Sequence, residues 1–273
     1  MSTSTKIIIA LLVLVLLVVA RKPRSASDKH GDSISPALQV YEAPDPTLTE
    51  LTVASFNIQT GKDIQGERDV SRSAAVLQAA DIIGVQEVYA PSWLNRLGVG
   101  TAQAKVLAGD YFAHLFAATR VRWFLEHRGN LLLSKVPVGQ WQVSMLPDVT
   151  GSSFRNMTIA EMEWLGTPFV FINTHLHTST GREQQLEAVL AEFAKHPRAI
   201  LVGDFNSRPD TPQLREAIDR GDFIDAIKAA RLDVDNPNRI DWILCKGFKV
   251  MAGEMVEKGI SDHPYYQVSL TLD

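Results

Sequence analysis

The chain has one cysteine, no internal repeat and no overall excess of basic charge. The lone Cys245 excludes an intramolecular disulfide. It lies in the apolar run Ile240 to Cys245, which fits a buried structural thiol. Without a repeat, nothing divides the 273 residues into an array, and 45% hydrophobic content is enough for one large domain with a substantial core. The formal net charge is −4. Of 27 basic and 31 acidic residues, five basic and one acidic fall within the first 30, which leaves 22 against 30 in the remainder. An acidic body lacks the broad basic footprint that drives non-specific duplex binding, although local basic patches are compatible with it.

Long apolar runs are scarce, with one exception. Ile7 to Ala20 is an unbroken apolar stretch, preceded by Lys6 and followed by Arg21, Lys22 and Arg24. It is shorter than the roughly 20 residues of a full membrane span and resembles the hydrophobic region of a signal peptide. The small residues Ser25-Ala26-Ser27 suit cleavage, whereas the basic cluster suits a retained anchor with the following domain on the cytoplasmic side. Both readings stand: membrane association through residues 1–24, or export if the segment is cleaved. Residues 25–49, rich in Ser, Pro, Asp and Ala, read as a tether, and residues 50–273 as the folded domain.

Within that domain several apolar strands run into polar residues. Leu51 to Ile58 is β-branched and aromatic, a helix is expected over 67–80, and Ile82 to Val88 repeats the strand pattern with the acid Glu87 at its end. A helix over 101–109 and a strand over 111–119 follow. Residues 120–129, with Arg122, Trp123, His127 and Arg128, read either as a surface loop or as a wall against substrate. Strands are expected at 130–134, 140–146, 155–164 and 169–175, the last ending in His175 and followed by His177. After a helix over 181–195, Arg198 to Val202 is a buried strand broken by Gly203.

The stretch Gly203-Asp204-Phe205-Asn206 is the focus. Asp204 and Asn206 are two residues apart, so extended geometry would point both side chains the same way. A carboxylate beside an amide suits hydrolysis, because one takes a proton from water while the other holds an oxygen. The same residues are also ordinary turn formers. Thr211 to Gly221 is a helix with Pro212 in its first turn, and 222–230 adds another turn or two. Asp241 interrupts an apolar strand over 239–244 and therefore needs a polar partner. The last strands, 248–256 and 265–272, flank Ser261-Asp262-His263-Pro264. Many strands with few helices suggest two packed sheets with helices outside.

The ordered set Phe56-Asn57-Ile58, Gln86-Glu87-Val88, Asn173-Thr174-His175-Leu176, Gly203-Asp204-Phe205-Asn206, Arg239-Ile240-Asp241-Trp242 and Ser261-Asp262-His263 resembles the endonuclease/exonuclease/phosphatase family. The run Gly129-Asn130 to Val136-Pro137 is similar as well. The resemblance covers about residues 51–272. It implies an α/β fold, a four-layer α/β/β/α sandwich of two mainly antiparallel sheets, and a metal-dependent phosphohydrolase. By the same resemblance Glu87 is the principal Mg²⁺ ligand (Mn²⁺ being an alternative), assisted by Asn57 and Asp262. Asp204 activates the attacking water, and Asn206 positions that water or a phosphoryl oxygen. His263, held by Asp241, donates to a non-bridging oxygen, and His175 contacts the phosphate or helps the leaving group. No serine or cysteine nucleophile is needed. The implied reaction is hydrolysis of a phosphodiester (or phosphomonoester) bond, in a lipid headgroup, small molecule or nucleic acid. The chain lacks a long DNA-clasping insertion and a distinct inositol-phosphate signature. A non-enzymatic phosphate- or lipid-binding module on the same fold is the rival reading.

Overall fold

The computed structural model describes residues 2–35, 49–90, 102–122 and 127–273. After α1 (Thr3–Arg21), β1 (Arg24–Ser25) and β2 (Lys29–Gly31) come β3 (Leu51–Asn57), α2 (Val70–Leu77), β4 (Ile82–Ala90), α3 (Gln103–Ala108), β5 (Ala113–Val121), β6 (His127–Ser134), β7 (Val138–Met145) and β8 (Asn156–Trp164). The second half holds β9 (Thr167–His175), α4 (Arg182–Ala194), β10 (Ala199–Asp204), α5 (Pro212–Asp219), β11 (Ile224–Asp225), α6 (Ala226–Ala229), β12 (Asp241–Lys246), β13 (Phe248–Val256) and β14 (Tyr265–Leu272). Two seven-stranded sheets result, ordered β1-β5-β6-β4-β3-β14-β13 and β11-β12-β10-β9-β8-β7-β2. Both are mixed: β3 runs parallel to β4 and β9 parallel to β10, while the other pairings are antiparallel.

Alternation along the strands creates the four layers. Val53, Ile82 and Leu132 of the first sheet share one buried cluster with Phe171, Ile200, Val202 and Ile243 of the second. Their chain neighbours face the other way. Ala54, Ile83, Leu131 and Leu133 pack outward on Leu77 and Leu107 of α2 and α3. Ile172, Leu201 and Leu244 pack on Leu186, Val189, Phe193 and Leu214 of α4 and α5. Cys245 belongs to the inner cluster, and burial pushes its thiol pKa up to about 12, as expected of a structural thiol.

At one end the filling between the sheets is polar. Gln86 Nε2 donates to Asn173 Oδ1 at 2.9 Å, and Asn130 Nδ2 donates to Asn156 Oδ1 at 3.0 Å. Asn57 Nδ2 donates to Asp204 Oδ2 at 2.9 Å. Each pair joins one sheet to the other, so the separation of the two sheets is set by directional contacts. Gly84 permits the approach, because a Cβ there would lie 2.3 Å from Val202 Cγ2 and 2.7 Å from Asn173 Oδ1.

Three local expectations are corrected. Residues 120–129 are not one loop: β5 continues to Val121 and β6 begins at His127, because pairing carries Arg120 against Arg128. Trp123 lies outside the described residues. Glu87 does not end its strand, since β4 resumes pairing at Val88 and runs to Ala90. The supposed tether is partly paired: β1 adds to β5, β2 adds to β7, and Ile34 bridges Val138. Residues 36–48 of that segment lie outside the described residues. Among the described residues no helix is long and apolar enough to cross a membrane.

Candidate active site

Strand register alone assembles three residues of the site. Asp204 pairs with His175 on β9 and with Asp241 on β12, placing two acids and an imidazole in one row across three strands. The close packing at that row depends on Gly203, whose φ is +149° and whose Cβ would lie 2.0 Å from the Thr174 carbonyl oxygen. Past the strand end, Asn206 adopts a left-handed φ of 49°. Its backbone N–H donates to Asp204 Oδ1 at 2.9 Å, a turn closed by the Asp204 side chain, and Asn tolerates the left-handed region better than most residues. Asn206 Nδ2 lies 3.2 Å from His175 Nε2 and donates to the Leu176 carbonyl at 3.0 Å.

The loop before β14 completes the cluster from the opposite sheet. His263 Nδ1 lies 2.8 Å from Asp241 Oδ2, and its Nε2 lies 3.7 Å from Asp204 Oδ2. Ser261 fixes this loop by donating to the Asn57 carbonyl at 2.7 Å. Gln59 links the ends of the same region: its N–H donates to Asn57 Oδ1 at 3.0 Å and its Nε2 to Asp262 Oδ2 at 2.9 Å. The Asp262 side chain remains 47% exposed, so its carboxylate is open to a further partner.

Glu87 follows Gln86, the cross-strand partner of Asn57. It sits in the irregularity between Val85 and Val88 with a φ of 58°. This conformation is costly for glutamate, on the order of 1–3 kcal/mol, and bulges of this kind re-aim side chains. The Glu87 carboxylate lies 4.0 Å from Arg128 Nη1 and stays partly exposed.

Burial divides the protonation states. Burial and the neighbouring charge of Asp241 raise the Asp204 pKa to about 7, against the pull of His263 and the Asn57 hydrogen bond. Burial alone would lower the His263 pKa, but its hydrogen bond to Asp241 and the Asp241 charge raise it to about 9. Burial, reinforced by the positive charge of Arg155, holds His175 neutral, well below the ordinary imidazole range. The 3.4 Å approach of His175 Nε2 to Asp204 is therefore not an ion pair. One imidazole is charged, one is neutral, and a carboxyl between them titrates near neutrality.

Asp204, Asp241 and His263 offer ligand atoms within 4.8 Å of one another. Asp241 Oδ2 is engaged by His263, whereas Asp241 Oδ1 is buried without a hydrogen-bond partner among the described residues, so this trio is one candidate position for a cation. Asn57, Glu87 and Asp262 offer oxygen donors only, the set that suits a hard divalent ion retaining several waters. The contacts to Asn57, Gln59 and Ser261 bring Asn57 and Asp262 together, and strand pairing sets Glu87 beside Asn57.

All eight residues singled out from the sequence thus fall at one end of the sandwich, where two sheets and three loops meet. A model of the endonuclease/exonuclease/phosphatase family matches residues 54–263. The chain belongs to that family. Comparison with curated proteins gives no match. Among solved structures, the endonuclease/exonuclease/phosphatase from Beutenbergia cavernae DSM 12333 is 24% identical with a TM-score of 0.65, over 82% of this chain and 72% of that one. A mannosyl-6-phosphatase from Bacteroides thetaiotaomicron VPI-5482 is 17% identical with a TM-score of 0.61, over 81% and 100%. D. rerio TDP2 complexed with single strand DNA product is 17% identical with a TM-score of 0.59, over 82% and 99%. At these identities the likeness is one of fold. Family membership makes the protein a hydrolase of phosphoester type by kinship, and the two-sheet sandwich with outer helices is the fold it shares.

Residues not singled out from the sequence complete the region. Gln59 and Ser261 position their neighbours, and Tyr89 accepts a hydrogen bond from Arg128 at 2.9 Å. Arg155, at the entrance to β8, interacts electrostatically with both Glu87 and Asp204. Arg155 stands just before a strand of alternating apolar and polar residues, where nothing in the sequence distinguishes it. For Gln59 and Ser261 the signal was adjacency to Asn57 and Asp262.

Proposed function

We propose that the protein is a divalent-metal-dependent phosphodiesterase, using Mg²⁺ or Mn²⁺, that cleaves its substrate by direct attack of water. The observation that carries this reading is the row His175–Asp204–Asp241, closed by His263 from the facing sheet. Asp204, titrating near 7, takes the proton from water as its oxygen attacks phosphorus and the phosphorus–oxygen bond to the leaving group breaks. Asn206 orients that water. The charged His263, with Nδ1 committed to Asp241, has its Nε2–H left to donate to a non-bridging oxygen. Neutral His175 donates to the phosphate or leaving oxygen without adding charge. Glu87, Asn57 and Asp262 would hold the cation, which neutralises phosphate charge as it builds.

A lipid headgroup or small phosphodiester presented at a membrane is favoured as substrate by the position of α1. Its large apolar side chains from Ile7 to Val19 are all exposed, as expected of a helix that partners lipid. Two residues after it, β1 pairs Ser25 with Arg120, which pairs with Arg128, itself opposite Tyr89 on β4. That cross-strand row lies just beyond Glu87, so the helix leaves the body at the catalytic rim. A nucleic-acid substrate is the second reading, supported by the fold likeness to TDP2 bound to a DNA product. Release of p-nitrophenol from bis-p-nitrophenyl phosphate, with and without chelator, tests the activity. Pure protein that shows no metal-stimulated excess over a Glu87→Ala control would instead be a phosphate- or lipid-binding module.

A further inference from the structure

Close to Glu87, three arginines, Arg120, Arg128 and Arg155, line a pocket of about 190 Å³, with His177 and the Ser152–Ser153 turn as its other polar walls. At about 30 Å³ per water it holds roughly six waters, which is room for a phosphate-sized group. No carboxylate is among the residues lining it.

The walls are built before any ligand arrives. Arg128 donates to the Tyr89 hydroxyl at 2.9 Å and lies 5.2 Å from the centre of that ring. The turn is gathered on Asp148 Oδ1, which accepts from the N–H groups of Thr150, Ser152 and Ser153 and from the Ser153 hydroxyl. Gln185 fastens it to the helix layer through the carbonyls of Pro147 and Ser153 and accepts from the His177 N–H. Against this rigid frame two donors are left over. The Nε atoms of Arg128 and Arg155 are buried without a hydrogen-bond partner among the described residues. Burying such donors is costly unless something accepts from them. Guanidinium groups converging on a small concave site match the geometry and charge of a phosphate.

We propose that this pocket binds a second phosphate group of the substrate, adjacent to the phosphate that is cleaved. The proposal rests on the phosphodiesterase reading above and narrows its substrate class to phosphodiesters carrying a further phosphate. Arg128 touches both places, since its Nη1 lies 4.0 Å from Glu87. Such a group could belong to a nucleotide end or to a lipid headgroup, and both are tested.

Hydrolysis of thymidine 5′-(p-nitrophenyl phosphate) is compared with that of its 3′-phosphorylated counterpart, and glycerophosphoinositol with its 4-phosphate. One pair should show a kcat/KM about tenfold or more higher for the phosphorylated member, the worth of one charge-assisted hydrogen bond. The pair that does so identifies the source. Arg120→Gln should bring that ratio near one while leaving the parent substrate within about twofold. Ser152→Asp, a surface change that sets a carboxylate at the pocket mouth, should do the same if Arg120→Gln folds poorly. Absence of preference in both pairs, or a preference that survives these variants, overturns the proposal. A second readout does not need catalysis. In chelator, millimolar inorganic phosphate should raise the unfolding midpoint of the wild type but not of Arg120→Gln. No shift in the wild type overturns the subsite even if the parent substrate is cleaved. A shift without any cleavage leaves the subsite standing and sinks the hydrolase reading.

Discussion

His263 and Asp241 are joined by a 2.8 Å contact between Nδ1 and Oδ2, although 22 positions separate them in the chain. The contact makes a buried acid useful. Without Asp241, burial would strip His263 of its proton; with it, the imidazole stays charged to about pH 9. Asp241→Asn should therefore lower kcat by about a hundredfold or more. The basic limb of the kcat/KM profile should move from about 9 toward the ordinary histidine value of 6.5. A pH–rate series on both proteins checks this, and an unmoved limb would remove His263 from its role.

Stability should depend on pH with a defined sign. His263 is raised above its unfolded value, so its contribution is complete below pH 6.5 and is lost as pH rises through about 9. Asp204 is also raised, from 3.8 to about 7, so holding it ionised in the folded state costs progressively more across that range. Both groups bind more protons when folded. His175, held neutral when folded, acts in the opposite sense near and below pH 6.5, so in chelator the unfolding midpoint should fall between about pH 7.5 and pH 9, and a midpoint that is flat or rises there would contradict the pairing.

Glu87 offers a separation of binding from folding. Its side chain is partly exposed and its bulge is formed by backbone pairing, so Glu87→Gln should leave the unfolding midpoint nearly unchanged. Metal-stimulated turnover should fall by two orders of magnitude or more, and the Mg²⁺ concentration for half-activation should rise. Full activity at ordinary Mg²⁺ would assign the cation elsewhere.

Gly203 is a structural requirement of the site. A methyl group at 203 would collide with the Thr174 carbonyl, across the strand pair that sets His175 beside Asp204. Gly203→Ala should cost on the order of 3 kcal/mol. Chemical denaturation would read the loss, and a change below about 1 kcal/mol would show that the strands can part without harm.

The layered architecture was legible because apolar runs, turn residues and polar strand ends recur in order, and those patterns reflect burial directly. That the eight candidate residues would share one end was legible from the ordered motifs of the family resemblance, since each polar residue taken alone is equally a turn former or a strand cap. Glu87 was harder to place, since a bulge within a strand leaves no mark on alternation until pairing is known. Arg155 and Gln59 escaped notice because each acts through neighbours distant in the chain. Residues 24–34 looked featureless because edge strands of two or three residues have no period to detect.

Those short strands have a bearing on self-association. β1 covers the outer margin of β5, and Ala26 adds a hydrogen bond to the Thr119 carbonyl. A protein shortened to begin after Ala26 would lose that cover. Its β5 would present bare amide and carbonyl groups to a strand from another copy. Light scattering of such a shortened protein should register self-association, so the paired N-terminal segment would serve as a built-in guard against polymerisation.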